Sequence, residues 1–254
     1  MTRDLGRFDL AAAMRDLYES QKYYASIPPA STSYEEDYWG EVVDPDGKRR
    51  DRTFEREQHL ADIVNELDFI SSLPGGRVLD IGCGLGWLLS ALDPEWAKYG
   101  IEVSDYAASR ARRYGDIFSG PLLDYPDGAP RFDLVVMHHV IEHMEDPVGN
   151  ILKVQELLKP GGNLILGTPD FDSGCARRFG TNYRLLHDPT HISLFSCDSM
   201  HRFLRDHGFT ISRVDYPYFE TRHFTPENLQ RLSDTTQVSP PFYGNFMTFY
   251  CARA

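Results

Sequence analysis

The sequence predicts an α/β fold built on a mostly parallel sheet with helices on both faces. Three observations carry this. Short aliphatic and β-branched runs alternate with helical spacing between residues 53 and 215. One run, Phe132 to His138 (FDLVVMH), is apolar at almost every position, as in a strand covered on both sides. A glycine-rich turn, DIGCGLG at 80–86, joins a strand to a helix.

Taken in order, residues 1–52 stand apart, with Tyr18, Tyr23, Tyr24, Tyr34, Tyr38 and Trp39 set among charges and prolines without clear periodicity; this is an N-terminal extension. From Thr53, Leu60, Ile63, Val64, Leu67 and Ile70 recur at three- and four-residue intervals, and Pro74-Gly75-Gly76 ends that helix. Arg77 to Cys83 reads as a strand and Trp87, Leu88, Leu89 and Leu92 as the helix after it. Tyr99–Ser104 and Tyr106–Tyr114 repeat the pair, and the strand Phe132–His138 follows. Ile151 to Leu158 forms a helix closed by Lys159-Pro160-Gly161-Gly162, before a strand over Asn163–Thr168. A helix from Ser196 to Gly208 leads into a strand over Phe209–Val214, and a Pro-rich insertion at 216–244 precedes a last strand, Phe246–Ala252. The expected division is an extension or lid over 1–52 and one domain over 53–254.

Composition narrows the partners. The chain has 254 residues with Lys plus Arg 26 and Asp plus Glu 38, a net charge of −12, which disfavours nucleic acid and anionic membrane surfaces. Cys83, Cys175, Cys197 and Cys251 are scattered without a CxxC pair, which argues against a disulfide framework or zinc ribbon and for a reducing, cytoplasmic setting. No window reaches the roughly 18 apolar residues of a membrane span, and the first twenty residues carry acids and no leader-like apolar run.

Chemistry concentrates at the glycine turn. Gly82, Gly84 and Gly86 sit where side chains would keep a ligand from the backbone, and Glu102, twenty positions after Gly82, ends the next strand where a carboxylate can accept both hydroxyls of a ribose. A dinucleotide site wants a third glycine for close helix packing, and Trp87 stands there instead, which disfavours NAD. S-adenosylmethionine has no phosphate and carries a sulfonium cation, so close backbone contact, a ribose acceptor and acidic surroundings suit it. Asp80 is positioned to orient the loop or to meet the amino group of the cofactor.

These residues resemble the class I S-adenosylmethionine-dependent methyltransferases, in particular the group similar to the ubiquinone-biosynthesis and glycan-cluster enzymes. The matching stretches are VLDIGCGLGWLL, GIEVS, FDLVVMHHVIEHMEDP, LLKPGGNLILGTPD and HDPTHISLFSCDSMHRFLRDHGF. The resemblance implies a Rossmann-like sheet of seven strands with the last antiparallel. It implies cofactor contacts from Gly82, Cys83, Gly84 and Gly86, ribose binding by Glu102, a methionine-side contact from His138, and an adenine wall from Leu122, Leu123 and Asp124. The product would be S-adenosylhomocysteine and the partner a small-molecule acceptor, with the protein a monomer or homodimer.

Methyl transfer to a hydroxyl needs a base, and histidine titrates near neutrality. His138, His139 and His143 cluster after the fourth strand, with His187 and His191 in the loop before a later helix; His139 and His191, with His143, are the candidate catalytic residues. The alternative is structural: Glu142-His143 bracing the next helix and His191 packing against it. His139-x-x-Glu142-His143 with His187 or His191 also has metal-ligand spacing, but the expectation is no metal. Tyr23, Tyr24, Tyr34, Tyr38 and Trp39 are expected to form an acceptor wall, and His187, Arg222, His223 and Tyr243 to add acceptor contacts. The expected function is methylation of a hydroxyl on a sugar or secondary metabolite. N- or C-methylation, a nicotinamide-dependent oxidoreductase and a non-catalytic cofactor-binding protein remain alternatives.

Overall fold

The computed structural model describes residues 5–6, 8–28, 36–44, 47, 49–217, 221–241 and 245–254. Seven strands form the central sheet: β1 (Gly76–Ile81), β2 (Trp96–Glu102), β3 (Asp116–Ser119), β4 (Phe132–His138), β5 (Leu158–Pro169), β6 (Phe209–Asp215) and β7 (Phe246–Arg253). Their order is β6-β7-β5-β4-β1-β2-β3. β1 lies parallel to β2 and β4, as do β2 to β3 and β4 to β5, whereas β7 runs antiparallel to both β5 and β6. Chain order reverses at β1, and ligands of open α/β sheets bind beyond the strand carboxyl ends at such a reversal.

Alternation sorts the strands onto two cores. Leu79, Val135, Met137, Leu164, Leu166 and Phe249 face α6 (Pro147–Leu157) and α8 (Cys197–Asp206), which α7 (Gly174–Phe179) separates in the chain. Val78, Leu134, Val136, Ile165 and Tyr250 face the helices of the other side, including α3 (Val64–Ser71), α4 (Trp87–Ala91) and α5 (Asp105–Ala111). Ser104 caps α5 by accepting from Ala107 N at 3.2 Å, and Ser196 opens α8 with a reciprocal Ser199 capping box.

Two local expectations change. The single helix read from Thr53 is two, α2 (Arg56–Asp62) and α3, offset at Ile63, whose backbone leaves the helical region at φ −109° and ψ 24°. Lys159-Pro160-Gly161-Gly162 does not simply close α6. Leu158 already pairs with Phe132 and Asn163 pairs with Leu134, so the four residues bulge out of β5.

The N-terminal segment divides in two. α1 (Leu10–Ser20) buries Leu10, Met14 and Leu17 against Phe171, Phe179 and Tyr183. Tyr23 stacks edgewise on Phe203 at 5.5 Å and donates to Asp206 Oδ2, while Tyr24 packs on Phe195 at 5.5 Å. These two rings, expected in the acceptor wall, pack around Phe203 and Phe195 and are not on the cavity wall. Among the described residues of this segment, the short helix Glu36–Trp39 brings its aromatics, Tyr38 and Trp39, to the cavity. Tyr34 and Tyr243 lie outside the described residues. No described helix is long and apolar enough to cross a membrane.

Candidate functional site

The glycine turn leaves β1 pinned to the end of β2, because Gly82 N and Cys83 N both donate to Ile101 O, at 2.8 and 3.1 Å. Gly84 is left-handed at φ 52°, and a Cβ there would stand 2.7 Å from Trp39 Cη2. Glu102, 5% exposed, accepts from Gly84 N at 2.8 Å through Oε2 and from Ser104 N at 2.9 Å through Oε1. Burial, with the Glu102 charge second, pushes the Asp80 carboxyl up to about 8.

Past Glu102 the surface is apolar and open. Val103 and Leu123 are 52% and 49% exposed, one on the β2 end and one on the turn Leu122–Asp124 that follows β3. Leu122, expected in an adenine wall with Leu123, belongs to the core at 3% exposure, whereas Leu123 is exposed. Asp124 ends the same turn as an exposed residue.

On the other side of the glycine turn lies a cavity of about 990 Å³. Its wall includes Asp80, Gly82, Cys83, Gly84 and Trp87 from the β1–α4 connection, and His138, His139, His143 and His191 from beyond β4 and β5. His139 is a non-glycine residue at φ 56°, a conformation concentrated at functional sites. Its Nδ1 lies 3.2 Å from Glu142 Oε1, and Thr168 Oγ1 donates to Glu142 Oε2 at 3.0 Å. Burial alone would raise Glu142, which is fully buried, but the His139 hydrogen bond and the charges of His143, His139 and His191 hold it down at about 2.

His143 Nδ1 sits 3.0 Å from Thr190 O, and His191 Nδ1 sits 2.6 Å from Leu185 O. Both Nδ1 atoms thus carry the proton. One ligand atom each from Glu142, His143 and His191 lie within 4.8 Å of one another, a group able to hold a metal ion. His138 is held well below its ordinary value by burial and by His139 and His59, and its Nδ1 lies 3.6 Å from Glu66 Oε1.

Other expected acceptor contacts separate. His187 is 8% exposed beneath its turn and outside the cavity wall, four residues from His191 but pointing elsewhere. Arg222 lines the cavity with its guanidinium committed to Asp62, at 3.0 Å, and to Gln58. His223 joins the wall, and burial, then Arg222, lowers it to about 4. Gly86 packs behind the turn against Ala111. Sequence reading missed Arg52, His59, Glu66, Thr168 and Thr248 on the same wall.

The methyltransferase-domain family matches residues 52–214, well over half of the chain. The chain belongs to this family. A ubiquinone biosynthesis O-methyltransferase of Hahella chejuensis is 36% identical over 115 residues, 40% of this chain and 48% of that protein. An uncharacterized 37.1 kDa transposon protein of Streptomyces fradiae is 34% identical over 122 residues, 42% of this chain and 34% of that protein. The chain spans about half the length, or less, of the curated relatives it matches. A Thermotoga maritima structure, a SAM-dependent methyltransferase described as a possible histamine N-methyltransferase, superposes with a TM-score of 0.57 at 24% identity, covering 79% of this chain and 93% of that one. That likeness supports the seven-stranded fold.

S-adenosylmethionine is the cofactor of this family, and the residues present fit it. Gly82 and Gly84 present bare backbone, the Glu102 carboxylate is oriented by two N–H donors, and Val103 and Leu123 add exposed apolar surface. Trp87 occupies the first position of α4 and lines the cavity, leaving no bare helix end for a pyrophosphate.

Proposed function

We propose that the chain transfers a methyl group from S-adenosylmethionine to a hydroxyl of a small polar acceptor, on a sugar or secondary metabolite, with His139 as the base. The observation that carries this is the relay Thr168–Glu142–His139 opening on the cavity beside the glycine turn. Gly82, Gly84 and Glu102 would hold the cofactor, with Leu123 beside the adenine, and the bound cofactor supplies a methyl group already activated on sulfur. The protein's work is then to orient the acceptor, exclude water and take one proton.

With Nδ1–H donated to Glu142, His139 keeps its Nε2 lone pair for the acceptor hydroxyl. As the acceptor oxygen is methylated, its proton would pass to His139 Nε2. The low-lying Glu142 carboxylate stabilises the imidazolium, and Thr168 fixes the carboxylate. Tyr38 and Trp39 cover the cavity near Gly84, which favours water exclusion. The test is calorimetry with S-adenosylhomocysteine, followed by labelled-methyl transfer to a methyl glycoside, a phenol and a primary amine. No binding of the homocysteine product would sink the reading, and labelling of the amine alone would move it to N-methylation.

A second reading differs from the metal-free expectation. Glu142, His143 and His191 each bring one ligand atom within 4.8 Å of the others, and a divalent cation held there would ionise the acceptor hydroxyl directly. Metal analysis of the purified protein separates the two: stoichiometric zinc, manganese or magnesium, removed by EDTA with loss of turnover, favours this form.

A further inference from the structure

Glu66 sits where a folding helix wants a hydrocarbon. It lies three residues after Ile63 and four before Ile70, each 1% exposed, and is itself only 5% exposed. A carboxylate on that stripe is costly to desolvate, and burial pushes its pKa up. Its protein partners are few: Oε1 accepts from Thr248 Oγ1 at 2.9 Å and lies 3.6 Å from His138 Nδ1. Oε2 bonds to no other described residue and is not sealed off from the cavity that Glu66 lines. An apolar pair would satisfy the fold at this position, so the charge has another use.

Its place in the sheet says which ligand it serves. Thr248 pairs with Gly167, Gly167 with His138, and Met137 with Ile81, which precedes the glycine turn. Three strand spacings of about 4.8 Å put Glu66's partner roughly 14 Å from that turn, on the side away from Glu102 and the ribose end.

We propose that Glu66 is a specificity-determining residue that receives a hydrogen-bond donor of the acceptor, a hydroxyl or an ammonium group, through Oε2. This rests on the methyl-transfer reading above. The donor group lies on a part of the acceptor other than the methylated atom, which belongs to His139.

The test compares Glu66→Gln and the double variant Glu66→Leu, Thr248→Val with the native chain. Melting temperature, S-adenosylhomocysteine affinity and the KM and kcat of whichever panel acceptor turns over are measured for each. Because both polar partners are replaced by apolar ones, the double variant melts at or above the native temperature, binds the homocysteine product unchanged, and raises the acceptor KM by on the order of tenfold or more. Glu66→Gln retains most affinity for a hydroxyl acceptor and loses it for an ammonium. A double variant that melts several degrees lower makes Glu66 a folding residue, and a tenfold weaker product affinity makes it a cofactor residue; either overturns the assignment. If the product binds and no panel acceptor turns over, a fall in melting temperature or in product affinity still overturns the assignment. If the native chain fails to bind the product, methyl transfer itself falls, and the melting comparison still decides whether Glu66 is structural.

Discussion

Gly84 N donates to Glu102 Oε2 at 2.8 Å, which ties the glycine turn after β1 to the carboxylate ending β2. One side chain thus fixes the backbone cradle through two N–H donors. Glu102→Ala leaves the N–H groups of Gly84 and Ser104 buried without an acceptor, each costing about 1–3 kcal/mol. We expect the melting temperature to fall and S-adenosylhomocysteine affinity to drop by at least about tenfold. Retained affinity in a folded Glu102→Ala protein would separate this carboxylate from the cofactor.

His139→Ala removes the proposed base without touching Glu102 or the glycine turn. The expected result is a fall in kcat of about 10²- to 10⁴-fold with product affinity unchanged. Thr168→Val acts through Glu142 and produces a smaller loss, since one of the carboxylate's contacts remains. A similar fall in both kcat and product affinity for His139→Ala would assign the residue to cofactor binding instead.

The sheet and its cofactor end were legible because they are local. The glycine turn, its flanking strand and helix, and Glu102 fall within twenty-seven residues, Gly76 to Glu102, and periodicity identifies each element. The acceptor end is not local. Glu66, His138, Thr168 and Thr248 meet because β4, β5 and β7 lie side by side, and no spacing in the chain announces that. One signal was available: Glu66 breaks the apolar stripe of Ile63 and Ile70. Tyr23 and Tyr38 look alike in the sequence, yet one found Phe203 and the other the cavity. Composition alone cannot say which apolar surface an aromatic ring will cover.

Trp39 explains why position 84 tolerates no side chain. Gly84→Ala meets Trp39 Cη2 at 2.7 Å and carries a φ of 52° that an alanine adopts with strain. A cost of about 1–3 kcal/mol lowers the melting temperature by roughly 2–10 °C in a chain of this size. Adding Trp39→Ala relieves the contact and leaves the backbone strain, so differential scanning fluorimetry should record a partial recovery. Full recovery would mean that strain contributes nothing, and none at all would mean that the indole yields freely.

Asp80 makes the stability of the ligand-free protein depend on pH. Its carboxyl is raised from 3.8 to about 8 by burial and by Glu102, so the folded chain keeps a proton that the unfolded chain has lost. Between these values the folded state binds more protons, and stability falls as pH rises, levelling off above about 8. Asp80→Asn removes that dependence. The variant should match the native protein near pH 4 and exceed it by a margin that widens towards pH 8, on the order of a few kcal/mol at most. Urea unfolding of both proteins at intervals across that range measures the gap directly, and parallel curves would mean that Asp80 is ionised throughout.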